Sequence, residues 1–200
     1  MPDSIIHLSV ARKVNPDVGI DFYVGNVAPD AIQKREIKDK VHFDEVSDME
    51  DALRKFALKA DNDYLKGMLL HLFTDRKWKT THLVDFQKKE GEGWWAKYVV
   101  ECDKVYSYAF HIQYAEWTHN LYEKMQNWDY SGFIETEFIK KDNVKSYFQN
   151  VKSYLQKIHK WSMENKIEAS SVFTPILIEK FVNDTANDFN KWFSNLADLT

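Results

Sequence analysis

The chain has a single cysteine, Cys102, in 200 residues, so no intramolecular disulfide can form and the fold cannot depend on one. Glycine and proline are scarce, at six and four, and leave few obligatory breaks. There is no run of ~18 apolar residues, which excludes a membrane-spanning helix. Positive charge is not in excess: 27 Lys and Arg face 31 Asp and Glu, a formal net charge of −4. That balance argues against a nucleic-acid-binding surface, which carries a clustered basic excess. No basic segment followed by an apolar stretch and a small-residue cleavage site is seen, so no secretory signal is read and a cytoplasmic protein is expected.

What is present is an ordinary globular balance, 44% hydrophobic and 29% charged, with a high aromatic share of 15%. The length suits one domain, residues 1–200, with a sizeable core. Residues 4–14 place Ile6, His7, Val10, Ala11 and Val14 on one helical face, with Asp3 or Ser4 able to cap it. Pro16, Gly19, Gly25 and Pro29 divide the next stretch into a short helix and a turn ending at Asp30. Residues 31–46 are charged and irregular, and read as a loop carrying His42.

Ser47-Asp48-Met49-Glu50 has the form of a capping box opening a helix to about Ala60. A longer helix is expected from Asp63 through Trp78, then a break at Gly91 and Gly93. Residues 94–126 read as one long aromatic helix, and residues 143 to about 163 as another, capped by Asp142. Thr174-Pro175 signals a last helix running to about Leu196. No segment alternates as a strand does. The fold class expected is all-α, a bundle of six or seven helices.

The strongest local chemical signal is His71-Leu-Phe-Thr-Asp75. Residues four apart on a helix share a face, about 5–6 Å between Cβ atoms, so an imidazole and a carboxylate can close on one cation. The pair lies in apolar sequence, where burying an unpaired carboxylate is costly. Arg76 or Lys77 could compensate it at the surface; a metal ion would do so inside. Taken singly, His7, Asp30 and His42 have bland readings as a core histidine, a turn residue and an exposed loop residue.

In combination they are more specific. The stretches MPDSIIHLSVARKV, YVGNVAPDAI, KVHF and GMLLHLFTDRKW, within the first 80 residues, resemble the zinc-dependent phospholipase C family, in particular its small bacterial branch. The shared pattern is an early helical His, a Gly-Asn-x-x-Pro-Asp turn, a His-Phe, and a His-xxx-Asp followed by Trp, in that order. The resemblance implies the multi-helix bundle that phospholipase C shares with single-strand nucleases. It implies His7, Asp30, His42, His71 and Asp75 as metal ligands, with Asp75 bridging two ions. Asp30, His42 and His71 would complete the shell of one ion, and His7 would hold the other. Zinc is the metal implied, although iron or manganese accepts the same donors.

The family's third position calls for a later His and a His-xxx-Glu pair. His119 and Glu123 have that spacing, His82 follows Asp75 at a suitable distance, and Asp103 is a competing candidate. Secreted members also use the amine of an N-terminal Trp, whereas this sequence begins Met1-Pro2, which favours a two-ion site. The chemistry implied is hydrolysis of a small phosphoester by hydroxide generated on the metal, with Asp30 orienting or deprotonating the attacking water. Two alternatives stand beside it. One is a bundle-type metal hydrolase acting on amide or thiol conjugates. The other is a helical binding or scaffold protein with a structural metal. Trp78, Trp94, Trp95 and Trp117 could form a stacking pocket, but at helical spacing such residues are more often core. Oligomeric state is left open.

Overall fold

The computed structural model describes residues 3–109, 115–164 and 166–197, and all of its regular secondary structure is helical. The first half of the chain builds the framework. Helix α1 (Ser4–Val14) is capped by Asp3, whose carboxylate accepts from the backbone N–H groups of Ile5 and Ile6 at 2.9 and 3.1 Å. Burial pushes the Asp3 carboxyl up to about 6. Helix α2 (Ile20–Val27) runs into a 3₁₀ turn (Ala28–Ala31) that carries Asp30.

Residues 31–46 are not simply a loop. They contain helix α3 (Arg35–Val41), which ends on His42. Its termination is a Schellman motif: Phe43 N–H bonds to Lys40 O and Asp44 N–H to Asp39 O. Phe43 sits in the left-handed region at φ 57°, a place usually taken by glycine. Because a phenylalanine does glycine's work, the usual stop signal is missing from the sequence. Phe43 packs edge-on against Phe56, which compensates its backbone.

Helix α4 (Met49–Ala57) is capped by Asp48, which accepts from Asp51 N–H; the box opening on Ser47 is displaced by one residue. Helix α5 (Asp63–Trp78) is the centre of the fold. Twelve of its sixteen residues are buried, so it lacks the polar face of a surface helix. It continues through one π-helical turn (Lys79–Leu83) into α6 (Val84–Glu90), which stops at Gly91.

Helix α7 (Trp94–Tyr108) and helix α8 (Ala115–Gln126) occupy the stretch expected to be one helix; residues 110–114 between them lie outside the described residues. Helix α9 (Lys141–Glu164) and helix α10 (Pro175–Ala197) follow, the latter with Thr174 Oγ1 accepting from Leu177 N–H. The described residues thus divide into more helical segments than the six or seven expected. One hydrophobic core runs through them, from Ile5 to Phe189. Trp78, Phe86, Tyr98, Phe173 and Phe181 form its aromatic heart, where Trp78 donates its indole N–H to Tyr98 OH at 2.7 Å. Among the described residues no helix is long and apolar enough to cross a membrane.

The crossing of α2 and α5 positions the rest. Gly25 and Gly67 let the two backbones touch: a Cβ on Gly25 would overlap the Tyr64 carbonyl, and one on Gly67 the Phe22 carbonyl. Asn26 then donates its side-chain N–H to Gly67 O at 3.3 Å. Gly67→Ala is expected to cost about 3 kcal/mol or more, because backbone rather than a flexible side chain must yield. Gly19→Ser, at the N-cap of α2 with open space around it, serves as the control that should not destabilise. Urea unfolding midpoints of the two variants would check this.

Candidate metal centre

Five side chains from four elements converge where α1, α2 and α5 meet. His7 comes from α1, Asp30 from the 3₁₀ turn, His42 from the end of α3, and His71 and Asp75 from successive turns of α5. His7, His42, His71 and Asp75 are fully buried, while the side chain of Asp30 is 16% exposed and forms the edge towards solvent.

Two of the imidazoles have their orientation set by main-chain carbonyls. His71 Nδ1 lies 2.7 Å from Asn26 O, and His42 Nδ1 lies 2.8 Å from Lys38 O. A carbonyl oxygen only accepts, so each Nδ1 carries the proton and each Nε2 presents its lone pair inward. This is the tautomer and outer hydrogen bond that metal-ligating histidines ordinarily have. The two Nε2 atoms are 3.1 Å apart. In the neutral forms that contact brings two lone pairs together with no hydrogen between them, and only a cation or an added proton relieves it.

Asp75 completes the arrangement. Its Oδ2 is 3.5 Å from His42 Nε2 and 3.7 Å from His71 Nε2, so those three atoms form a triangle. Its Oδ1 instead faces His7 Nε2 at 3.3 Å. Asp30 Oδ1 lies 3.7 Å from His42 Nε2. Two donors bound tetrahedrally to one zinc ion at ~2.05 Å would stand about 3.3 Å apart. The observed separations bracket that value.

Both ring nitrogens of His7 and both oxygens of Asp75 are buried without a hydrogen-bond partner. Leaving such atoms unpaired carries the full desolvation cost, so their donor chemistry fits a cation. Surface compensation of Asp75 is not what the structure uses, since Arg76 pairs with Glu50 and Lys77 with Asp188, each at 2.7 Å. Two donor triads are close enough to hold ions: His7, His71 and Asp75, and Asp30, His42 and His71. They share His71, whose Nδ1 is committed to Asn26, so its Nε2 can serve only one of them.

The electrostatics agree with the geometry. Burial works to raise both carboxyls. The surrounding imidazoles overcome it, holding Asp75 well below the usual carboxylate range and, with Lys38, doing the same for Asp30. Burial, then the proximity of His7, brings His71 down to about 3, so its imidazole is neutral.

The other candidates lie elsewhere. Asp103 is exposed on α7, and His119 and Glu123 are exposed on α8; none joins either triad. His82 packs against the rings of Trp78 and Phe181 at 4.8 and 5.2 Å. Trp78 is core, Trp94 and Trp95 pack on each other and on Tyr98, and Trp117 lies beneath Arg12. The four tryptophans are therefore not a single stacking pocket. Sequence reading missed Lys38, whose ammonium lies 2.7 Å from Asp30 Oδ1. Its spacing, four residues before His42, was the available signal. No protein-family model, curated protein or solved structure matches the chain.

The lowered His71 pKa sets a sign for the metal-free protein. The unfolded chain binds a proton at His71 below ~6.5, whereas the folded chain does so only near 3, so stability rises with pH between those values. The depressed carboxylates add losses only as pH falls below ~4. Asp3, raised to about 6, works the other way over this window because the folded chain keeps its proton longer. With that group removed by Asp3→Asn, which keeps a capping side chain, metal-free protein is expected to lose about 2 kcal/mol between pH 6.5 and 4.5. Denaturant titrations at the two pH values would show it, and a flat profile would contradict a neutral buried His71.

Proposed function

We propose that the protein is a metal-dependent phosphoester hydrolase whose centre takes two first-row divalent ions, zinc foremost, on His7, Asp30, His42, His71 and Asp75. The observation that carries the reading is the placement of Asp75, whose two oxygens face different imidazoles in a core that gives neither a hydrogen bond. Asp30, His42, His71 and Asp75 Oδ2 would hold one ion, and His7 with Asp75 Oδ1 the second. The resemblance of the four sequence motifs to zinc-dependent phospholipase C supports the same division of ligands.

Bound there, the ions supply a Lewis acid for a phosphoryl oxygen and lower the pKa of water from 15.7 towards ~7. The chain's own residues set the rest. The carbonyls of Asn26 and Lys38 fix the rings of His71 and His42. Burial keeps His71 neutral, so its Nε2 lone pair is available at neutral pH. Asp30, anionic and nearest to solvent, would orient an attacking water by accepting a hydrogen bond from it. Among the described residues the His7 side would offer His7 and Asp75 Oδ1, leaving positions for water and substrate. A small phosphomonoester or phosphodiester is the substrate class, met in solution.

One observation favours a second reading, a structural ion in a helical binding or scaffold protein: four of the five ligands have no exposure. A mononuclear three-histidine hydrolase of amide or thiol conjugates is less well supported, since Asp75 divides its oxygens between different histidines.

Elemental mass spectrometry on untagged protein, with colorimetric phosphomonoester and phosphodiester assays, separates these readings. About two ions per chain and activity lost on chelation are expected. Asp75→Asn should abolish hydrolysis and lower metal content. His7→Gln should reduce the stoichiometry from about two ions to about one. A single ion whose removal unfolds the protein, with no hydrolysis at full loading, would establish the structural reading instead.

A further inference from the structure

Lys38 stands at the edge of the metal centre in a position that the ligand set does not explain. Its carbonyl oxygen accepts the Nδ1 proton of His42, while its ammonium reaches back to Asp30 Oδ1 at 2.7 Å. One residue thus orients a buried ligand through its main chain and touches the outermost ligand through its side chain. Its side chain is 25% exposed beside an Asp30 that is 16% exposed, and the other four ligands are closed to solvent. Any molecule approaching through Asp30 meets this ammonium.

The oxygen that Lys38 contacts decides its role. Asp30 Oδ1 is also the atom 3.7 Å from His42 Nε2, the one that would turn towards an ion held by His42 and His71. Lys38 therefore uses the carboxylate oxygen that an ion would use. When a divalent cation shares that oxygen, the ammonium loses part of its counter-charge. It stays at the mouth with three N–H donors, beside a centre that has become strongly positive. An incoming oxyanion is the partner that this arrangement calls for.

We propose that Lys38 is a substrate-binding residue that pairs with Asp30 in the metal-free protein and receives the anionic phosphoryl oxygens of the substrate once the centre is loaded. This rests on the hydrolase reading of the site. The substrate class it selects is a phosphomonoester, whose terminal phosphoryl group brings a second negative charge to the mouth, in preference to a diester.

The test measures zinc and inorganic phosphate separately, by titration calorimetry, with metal content determined on the same samples. Lys38→Gln should bind zinc at least as tightly as the parent protein, because a competing cation is gone. Its zinc-loaded form should bind phosphate about tenfold to a hundredfold more weakly. Lys38→Arg should restore most of the phosphate binding. A purely structural lysine would give the opposite pattern, with zinc binding weakened and phosphate binding by the loaded fraction unchanged, and that result overturns the proposal. So does a loaded parent protein that binds no phosphate. If the parent takes up no zinc at all, the hydrolase reading itself fails and the proposal falls with it, an outcome that the metal content identifies separately.

Discussion

A carboxylate, Asp75, lies in the middle of this protein's core, fully buried and without a hydrogen-bond donor on either oxygen. A single ionised group in such a place would be too costly to keep, and a mildly stable fold could not absorb the penalty. Three imidazoles converge on it from α1, α3 and α5, so every nearby element is arranged around one negative charge. The close approach of α2 and α5 serves the same end. Only with Gly25 and Gly67 at the crossing does the Asn26 carbonyl reach His71 and turn its lone pair inward. Packing and electrostatics are here one constraint: moving the helices apart would also release the ring.

Much of this was legible in the sequence. Helix α1, helix α5 and the start of α10 fall where periodicity, caps and Pro175 placed them, because their signals are local. His71 and Asp75 could be paired by spacing alone. Bringing His7, Asp30 and His42 to them depends on tertiary geometry, which local periodicity does not encode; the ordered motifs, read as a resemblance, supplied it. His119 and Glu123 show the limit of that route, since correct internal spacing left them on an exposed helix face, and the competing Asp103 is exposed on α7.

Helix α3 escaped detection for a physical reason. Its few apolar residues, Ile37 and Val41, give a weak stripe, and its end is closed by Phe43 in a conformation that sequence rules assign to glycine. The same turn hides the role of Lys38. A lysine in a charged segment reads as solvated, and only the fold brings its ammonium to Asp30 and its carbonyl to His42.

The use of backbone carbonyls to orient His42 and His71 carries a consequence for how the site can change. Where a carboxylate side chain fixes a ligand's tautomer, a single substitution removes it. Here the accepting atoms belong to the main chain, and no replacement of Asn26 or Lys38 deletes them. The proton positions on these two rings are thus inherited from the path of the chain, and they persist for as long as α2 and the last turn of α3 hold their course. A side chain at the edge, such as that of Lys38, can be exchanged while this inner geometry is passed on with the fold itself.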